Sequence, residues 1–177
     1  MDKTKQHLTG VELFFEVDEV IVSKTNLKGI ITYANTTFAK LAEIERHEAV
    51  GKPHSFIRHP HMPRCIFKLL WENISAGNEI FAYVLNRSLK GNEYWVLAHI
   101  TPSFDENAQI VGYHSNRRIP NRTVLEDIIK PLYAQLRQIE ENAPSAKDGL
   151  DKSYDKLMET IHQSGKKYNH FIMTLGD

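Results

Sequence analysis

The sequence predicts an α+β domain: a five-stranded antiparallel sheet with short helices on one face, followed by C-terminal helices. Three observations point there. Short β-branched segments fall into two groups, two before and three after a block whose apolar spacing is helical. Gly, Asn and Asp stand between the segments within each group, where turns are required. Strands segregated from helices in this order favour an antiparallel sheet carrying helices on one face.

Residues 1–18 form an N-terminal segment whose apolar end, VELFFEV, is a helical turn or a docking strand. EVIVSKT (19–25) is β-branched and reads as a strand. Asn26-Leu27-Lys28-Gly29 is a turn, Gly29 being free to take positive φ, and GIITYAN (29–35) completes a hairpin. Thr36 and Thr37 then cap a short helix carrying Phe38, Leu41 and Ala42. EIERHEAVG (43–51) is a further helical turn. Lys52 to Pro63 holds three prolines and three histidines and cannot be one long regular element, because proline fixes φ and lacks an amide donor. Pro63 suits the first turn of the next helix, which carries Ile66, Phe67, Leu70, Trp71 and Ile74 and closes at Gly77.

Strands follow at 79–88, 94–104 and 110–119, separated by Lys90-Gly91-Asn92 and Asp105-Glu106-Asn107. Residues 121–141 read as one helix with Leu125, Ile128, Ile129, Leu132 and Leu136 on one side. A polar linker at 141–149 leads to a short helix at 150–162. The apolar tail YNHFIMTLGD is expected to dock, since exposed apolar surface is unfavourable. The expected organisation is an N-terminal segment (1–18), a sheet-and-helix domain (19–120) and a C-terminal helical extension (121–177).

Composition narrows the function classes. Lys+Arg and Asp+Glu are equal at 22 each, which argues against broad electrostatic attraction to nucleic acid or anionic membrane. No apolar run approaches a membrane span, and the N-terminus lacks a secretory h-region. The single cysteine, Cys65, excludes an internal disulfide. These features together suggest a cytoplasmic protein. The histidines His54, His59 and His61 invite a metal reading, but their spacing is broken by prolines and HExxH is absent, so no metal site is expected. GxSxG, P-loop and paired-carboxylate motifs are also missing, so the chain is not expected to be an enzyme.

Four stretches carry a resemblance: TYANTTF (32–38), VGKPHSFIRHPHMPRCIFKLLW (50–71), VLNRSLKGNEYWV (84–96) and IVGYHSNRR (110–118). They resemble the PAS sensor modules of bacterial energy-taxis receptors of the Aer type, including the stand-alone CetB-like form. The segment RHPxMP followed by a helix with Trp is the most specific part. One departure is His61, which stands where such modules typically carry an acidic residue. The resemblance implies a PAS fold over about residues 20–120 and a flavin, FAD, held between sheet and short helices. Carried over to this chain, the cofactor-binding candidates are Asn35, Arg58, His59, Trp71, Asn86 and Tyr94. It further implies a redox or energy sensor that signals through a membrane-bound methyl-accepting energy-taxis receptor. With no output motif in the sequence, such a partner must carry the signal. A homodimer through the sheet or the N-terminal segment is a further expectation.

The residue types fit these roles, each beside a plainer alternative. An amide such as Asn86 presents both donor and acceptor, as a flavin edge requires, or it faces outward from a half-buried strand. The Trp71 ring packs on a flat cofactor or simply in the core. Arg58 pairs with a diphosphate or is solvated. Asn116-Arg117-Arg118 binds phosphate or is a solvated strand end. Cys65 does not lie in the motif of blue-light PAS domains and reads as a buried, inert thiol. Haem b through His54 or His59, or a cofactor-free interaction module, are the alternative readings.

Overall fold

The computed structural model describes residues 7–176; the first six residues of the N-terminal segment and Asp177 lie outside the described residues. β1 (Ile21–Thr25) and β2 (Ile31–Ala34) form the first hairpin, and helices α1 (Thr36–Ala42) and α2 (Arg46–Ala49) follow. A 3-10 turn (His54–Ile57) leads to α3 (Arg64–Ser75). β3 (Ile80–Arg87), β4 (Glu93–Phe104) and β5 (Ile110–Arg118) complete the sheet. Its order is β2-β1-β5-β4-β3, with every neighbouring pair antiparallel. The five-stranded antiparallel sheet and its helices are thus as the sequence predicts.

The pairing of β1 with β5 brings the first and last strands together at the centre, with Ile21 opposite Arg117 and Ser23 opposite Ser115. Gly112 makes this possible: a Cβ there would stand 2.3 Å from the Thr25 carbonyl oxygen, so no side chain fits. The α1 cap differs from expectation. Asn35, not Thr36 or Thr37, is the N-cap, and its Oδ1 accepts from the Phe38 N–H at 3.0 Å.

The inner core lies between the sheet and α1 and α3, with Phe38, Leu41, Ile66 and Ile74 facing Ile21, Ala82 and Val96. Burying each large aliphatic side chain contributes about 1.5–3 kcal/mol. Residues 11–13 dock beside the start of β4, Leu13 N–H donating to Glu93 O at 2.7 Å and Glu93 N–H to Val11 O at 2.8 Å. Residues 11–13 therefore dock in extended form, through an isolated bridge, rather than as a helical turn.

The C-terminal region wraps the other edge of the sheet. α4 (Arg122–Val124), a π turn (Leu125–Ile129) and α5 (Lys130–Asn142) run continuously where one regular helix was expected. Lys130 N–H donates to Leu125 O, the wide i→i−5 bond. The physical reason is Pro131, whose ring would clash with the Asp127 carbonyl in a regular turn and which has no N–H to donate.

α6 (Ala146–Gln163) begins earlier than the predicted 150, because Ser145 accepts from Asp148 N–H at 3.1 Å and caps it. The linker shrinks accordingly. Tyr133 of α5 donates to the Tyr83 carbonyl at 2.7 Å and lies against Trp95 on the outer sheet face. The tail docks as α7 (Tyr168–Met173): Asn169 accepts from Phe81 N–H and donates to Glu79 O, both at 3.0 Å. It thereby covers the start of the edge strand β3, which would otherwise be open to another chain. No helix among the described residues is long and apolar enough to cross a membrane.

Candidate functional site

A cavity of about 350 Å³ lies between the sheet and α3. Its size falls in the range of small-molecule pockets. β3 and β4 supply Val84, Asn86, Ala98 and Ile100 to its floor. β1 and β5 add Ser23, Thr25, Tyr113, Ser115 and Arg117. Alternation along each strand puts these residues on one face, since successive side chains point oppositely. The opposite wall is the apolar side of α3, with Phe67, Leu70, Trp71 and Ile74, and the rim is Lys28, Gly29, Pro53, His54, Ser55 and Arg58. Lys28, Ser55 and Trp71 are exposed and mark the mouth. Gly29 takes φ +73, and a Cβ there would meet the Trp71 ring at 3.3 Å, so glycine both makes the turn and lets Trp71 close over the cavity.

The charge inside is one-signed. Lys28, Arg58 and Arg117 line the cavity, and no carboxylate does. Arg117 is 4% exposed. Its Nη2 donates to Ser23 Oγ at 2.9 Å and to His54 Nε2 at 2.5 Å, while Nη1 is buried without a partner. Burial lowers its pKa to about 10, so it remains a cation at neutral pH. His54 is held well below 6.5, first by burial and then by the Arg117 and Arg58 charges. The ring is therefore neutral, and because Arg117 can only donate, Nε2 accepts and the proton sits on Nδ1.

Other unsatisfied polar atoms converge on the same space. Asn86 Nδ2, Ser115 Oγ and Arg58 Nε are buried and have no partner within the described residues. The Arg58 guanidinium lies 3.6 Å from the centre of the Phe67 ring. Buried polar groups in native structures are nearly always paired, so these atoms, with Arg117 Nη1, form a polar set that is free to pair with a group in the cavity.

Of the six sequence candidates, the structure brings Arg58, Trp71 and Asn86 together at the cavity and places three elsewhere. Asn35 is occupied as the cap, and it also ties β1 by accepting from Val22 N–H and donating to Val20 O. His59 is buried on the far side of its loop, where Nδ1 accepts from His61 N–H and Nε2 faces Glu93 at 3.4 Å. Despite that carboxylate, burial pushes its pKa down to about 4, and the ring is neutral. Tyr94 is fully buried opposite Asn86, on the same face of the sheet as the floor but outside the cavity lining, its hydroxyl unpaired among the described residues and its pKa raised by burial.

Sequence reasoning missed His54 and Arg117 as cavity residues. Period-two spacing through Tyr113, Ser115 and Arg117 was the available signal, and it was masked by the polar look of Asn116-Arg117-Arg118. Among the described residues no group of three His, Cys, Asp or Glu is placed to hold a metal ion. Cys65 is buried, and burial pushes its thiol up to about 11, which leaves it unreactive.

The profile of the PAS fold matches residues 19–116, which take in the short helices, the sheet up to the last two residues of β5, and every cavity residue but Arg117. The chain belongs to the PAS family. The aerotaxis receptor of Escherichia coli (strain K12) is 36% identical over 121 residues, covering 67% of this chain and 23% of the receptor. The nitrogen fixation regulatory protein of Klebsiella pneumoniae is 23% identical over 159 residues, covering 89% of this chain and 32% of that protein. This PAS chain thus spans about a quarter to a third of the length of these two relatives.

Among solved structures, the dark form of the blue-light photoreceptor Aureochrome1 LOV superimposes with a TM-score of 0.56 at 19% identity, over 65% of this chain and 86% of that one. A PAS domain from Colwellia psychrerythraea gives 0.53 at 19% identity, over 58% and 87%. At that identity these two likenesses speak for the fold. The first relative supports the energy-taxis type of PAS domain.

Proposed function

We propose that this PAS chain is a cytoplasmic redox sensor that holds a flavin, FAD, in the cavity and reports its state to a membrane-bound methyl-accepting energy-taxis receptor. The observation that carries the proposal is the buried, uncompensated Arg117 beside the unpaired Asn86 amide in a cavity whose described lining carries cations and no carboxylate. The residues fit the group. Val84, Ile100, Leu70 and Ile74 offer apolar surface to a flat ring, and Asn86 and Ser115 offer an amide and a hydroxyl to its carbonyl and N–H edge. Trp71 stands at the mouth, where it would cover a bound ring. Lys28 and Arg58 stand on the rim, where the phosphates of the cofactor tail would leave the cavity.

A bound flavin would supply the redox couple. Arg117 favours added negative charge inside the cavity, because a guanidinium in a dry site acts with little screening. His54 and Ser23 hold Arg117 in place, and His54 cannot readily take a proton there. A negative charge placed in the cavity would therefore be met by the fixed Arg117 cation rather than by a side-chain acid. The similarity to the aerotaxis receptor supports a chemotaxis setting for the signal.

The test is to purify the chain, record its visible absorption spectrum and identify the released cofactor by chromatography. Flavin bands with FAD released are expected. A colourless protein that binds neither added FAD nor FMN overturns the proposal, and a Soret band would replace it with haem. Cross-linking in cells to a methyl-accepting receptor checks the partner; recovery of homodimers alone would overturn that half.

A further inference from the structure

Glu140 of α5 is buried, and its side chain is 7% exposed. Its carboxylate accepts from Arg64 N–H at 3.0 Å, Arg64 Nε at 3.1 Å, Cys65 N–H at 3.1 Å and Ser153 Oγ at 2.8 Å. The first three donors stand at the start of α3, so a carboxylate from a distant helix meets the positive end of the cavity wall. Ser153 belongs to α6 and is fully buried. Gly149 of α6 lies against the same residue: a Cβ there would stand 2.7 Å from the Glu140 carbonyl oxygen. Three helices therefore meet at one side chain, and α6 can reach it only because position 149 lacks a side chain.

α3 supplies Phe67, Leu70, Trp71 and Ile74 to the cavity. Besides packing on β3 and β4, it contacts α5 and α6, and α7 beyond them holds the edge of β3, the strand that carries Asn86. The C-terminal helices thus grip both walls of the cavity without touching its interior. We propose that Glu140 is a positioning residue that couples cavity occupancy to the docking of α6 and α7, making the C-terminal helices the element that reads the cofactor. This rests on the flavin reading above. A ligand that seats α3 against the sheet fixes the donors that Glu140 needs, and α6 is held only while Glu140 is fixed. By linkage, loosening α6 must weaken the ligand by the same factor that the ligand tightens α6.

Amide hydrogen exchange on the full chain, flavin-free and saturated with FAD, tests this. In the wild type, FAD slows exchange in α6 and α7 by about fivefold or more, the lower end of ordinary allosteric coupling. In Glu140→Gln, the amide group cannot accept from all four donors. Exchange there becomes fast in both states, the FAD-dependent difference collapses, and FAD binds weaker by the lost factor. Ser153→Ala, a milder change that keeps the α3 cap, gives an intermediate loss of the difference. A purely structural role would speed exchange equally in both states and leave the ratio intact, which overturns the proposal. So does a wild type that binds FAD while α6 exchange stays unchanged. Failure to take up any flavin overturns both this coupling and the reading it rests on.

Discussion

Arg117 and Glu140 are both buried charges, yet they sit in opposite surroundings. Glu140 has four donors and an ion pair with Arg64, so its charge is answered within the fold. Arg117 has two neutral partners, an unpaired Nη1 and no carboxylate beside it in the cavity. The difference teaches how to read buried polarity. A saturated charge holds elements together, whereas an unsaturated one beside a cavity is free to pair with a group from outside, which is the role the proposed flavin reading gives it.

The comparison breaks most visibly at Glu140. Glu140→Ala orphans three buried or half-buried donors at the start of α3 and should lower the unfolding free energy by about 2–3 kcal/mol in urea titration, since Arg64 keeps some solvent access. Arg117→Met should do the reverse. The flavin-free chain changes by less than about 1 kcal/mol or gains stability, because an uncompensated charge leaves the interior and Ser23 and His54 can bond each other. Its flavin affinity should fall by about 10- to 150-fold in a fluorescence titration. Equal losses of stability in both variants would erase the distinction.

His59 extends the comparison to pH. Its folded pKa of about 4 lies below the ordinary 6.5, so the unfolded chain binds the extra proton first. The contribution is fully present above 6.5 and is lost as pH falls toward 4, roughly 1–3 kcal/mol in all. His54, also lowered, acts with the same sign. Urea midpoints measured across that window should fall with acid, and His59→Gln should flatten the slope. The smallest effect is at Asn86. Asn86→Leu removes an orphan amide, so affinity should drop by about 2- to 10-fold while flavin-free stability holds or rises.

Much of the fold was legible because its signals are local. β-branched alternation marked all five strands, and Gly29 and Gly91 marked their turns. The capping role of Asn35 was legible too, since Asn ahead of Thr36-Thr37 is a cap signature, but the family motif drew it toward the cofactor. His59 was misplaced for a different reason. An irregular loop between prolines carries no periodicity, so adjacent residues such as Arg58 and His59 cannot be sorted into cavity and core from their order. Gly149 shows the same limit in a helix, where a residue typical of linkers is required by the crossing of α5 and α6.

The sequence by itself determined the strand and helix order and the sheet's two-group layout, because periodicity and turn chemistry are written in neighbouring residues; Arg58, Trp71 and Asn86 were reached only through the resemblance. Only the tertiary structure decided that Arg117 is buried without a counter-charge and that Glu140 ties three helices at the cavity's back wall. Both depend on pairings across long stretches of chain, 94 residues from Ser23 to Arg117 and 76 from Arg64 to Glu140, and local patterns cannot register a partner that far away.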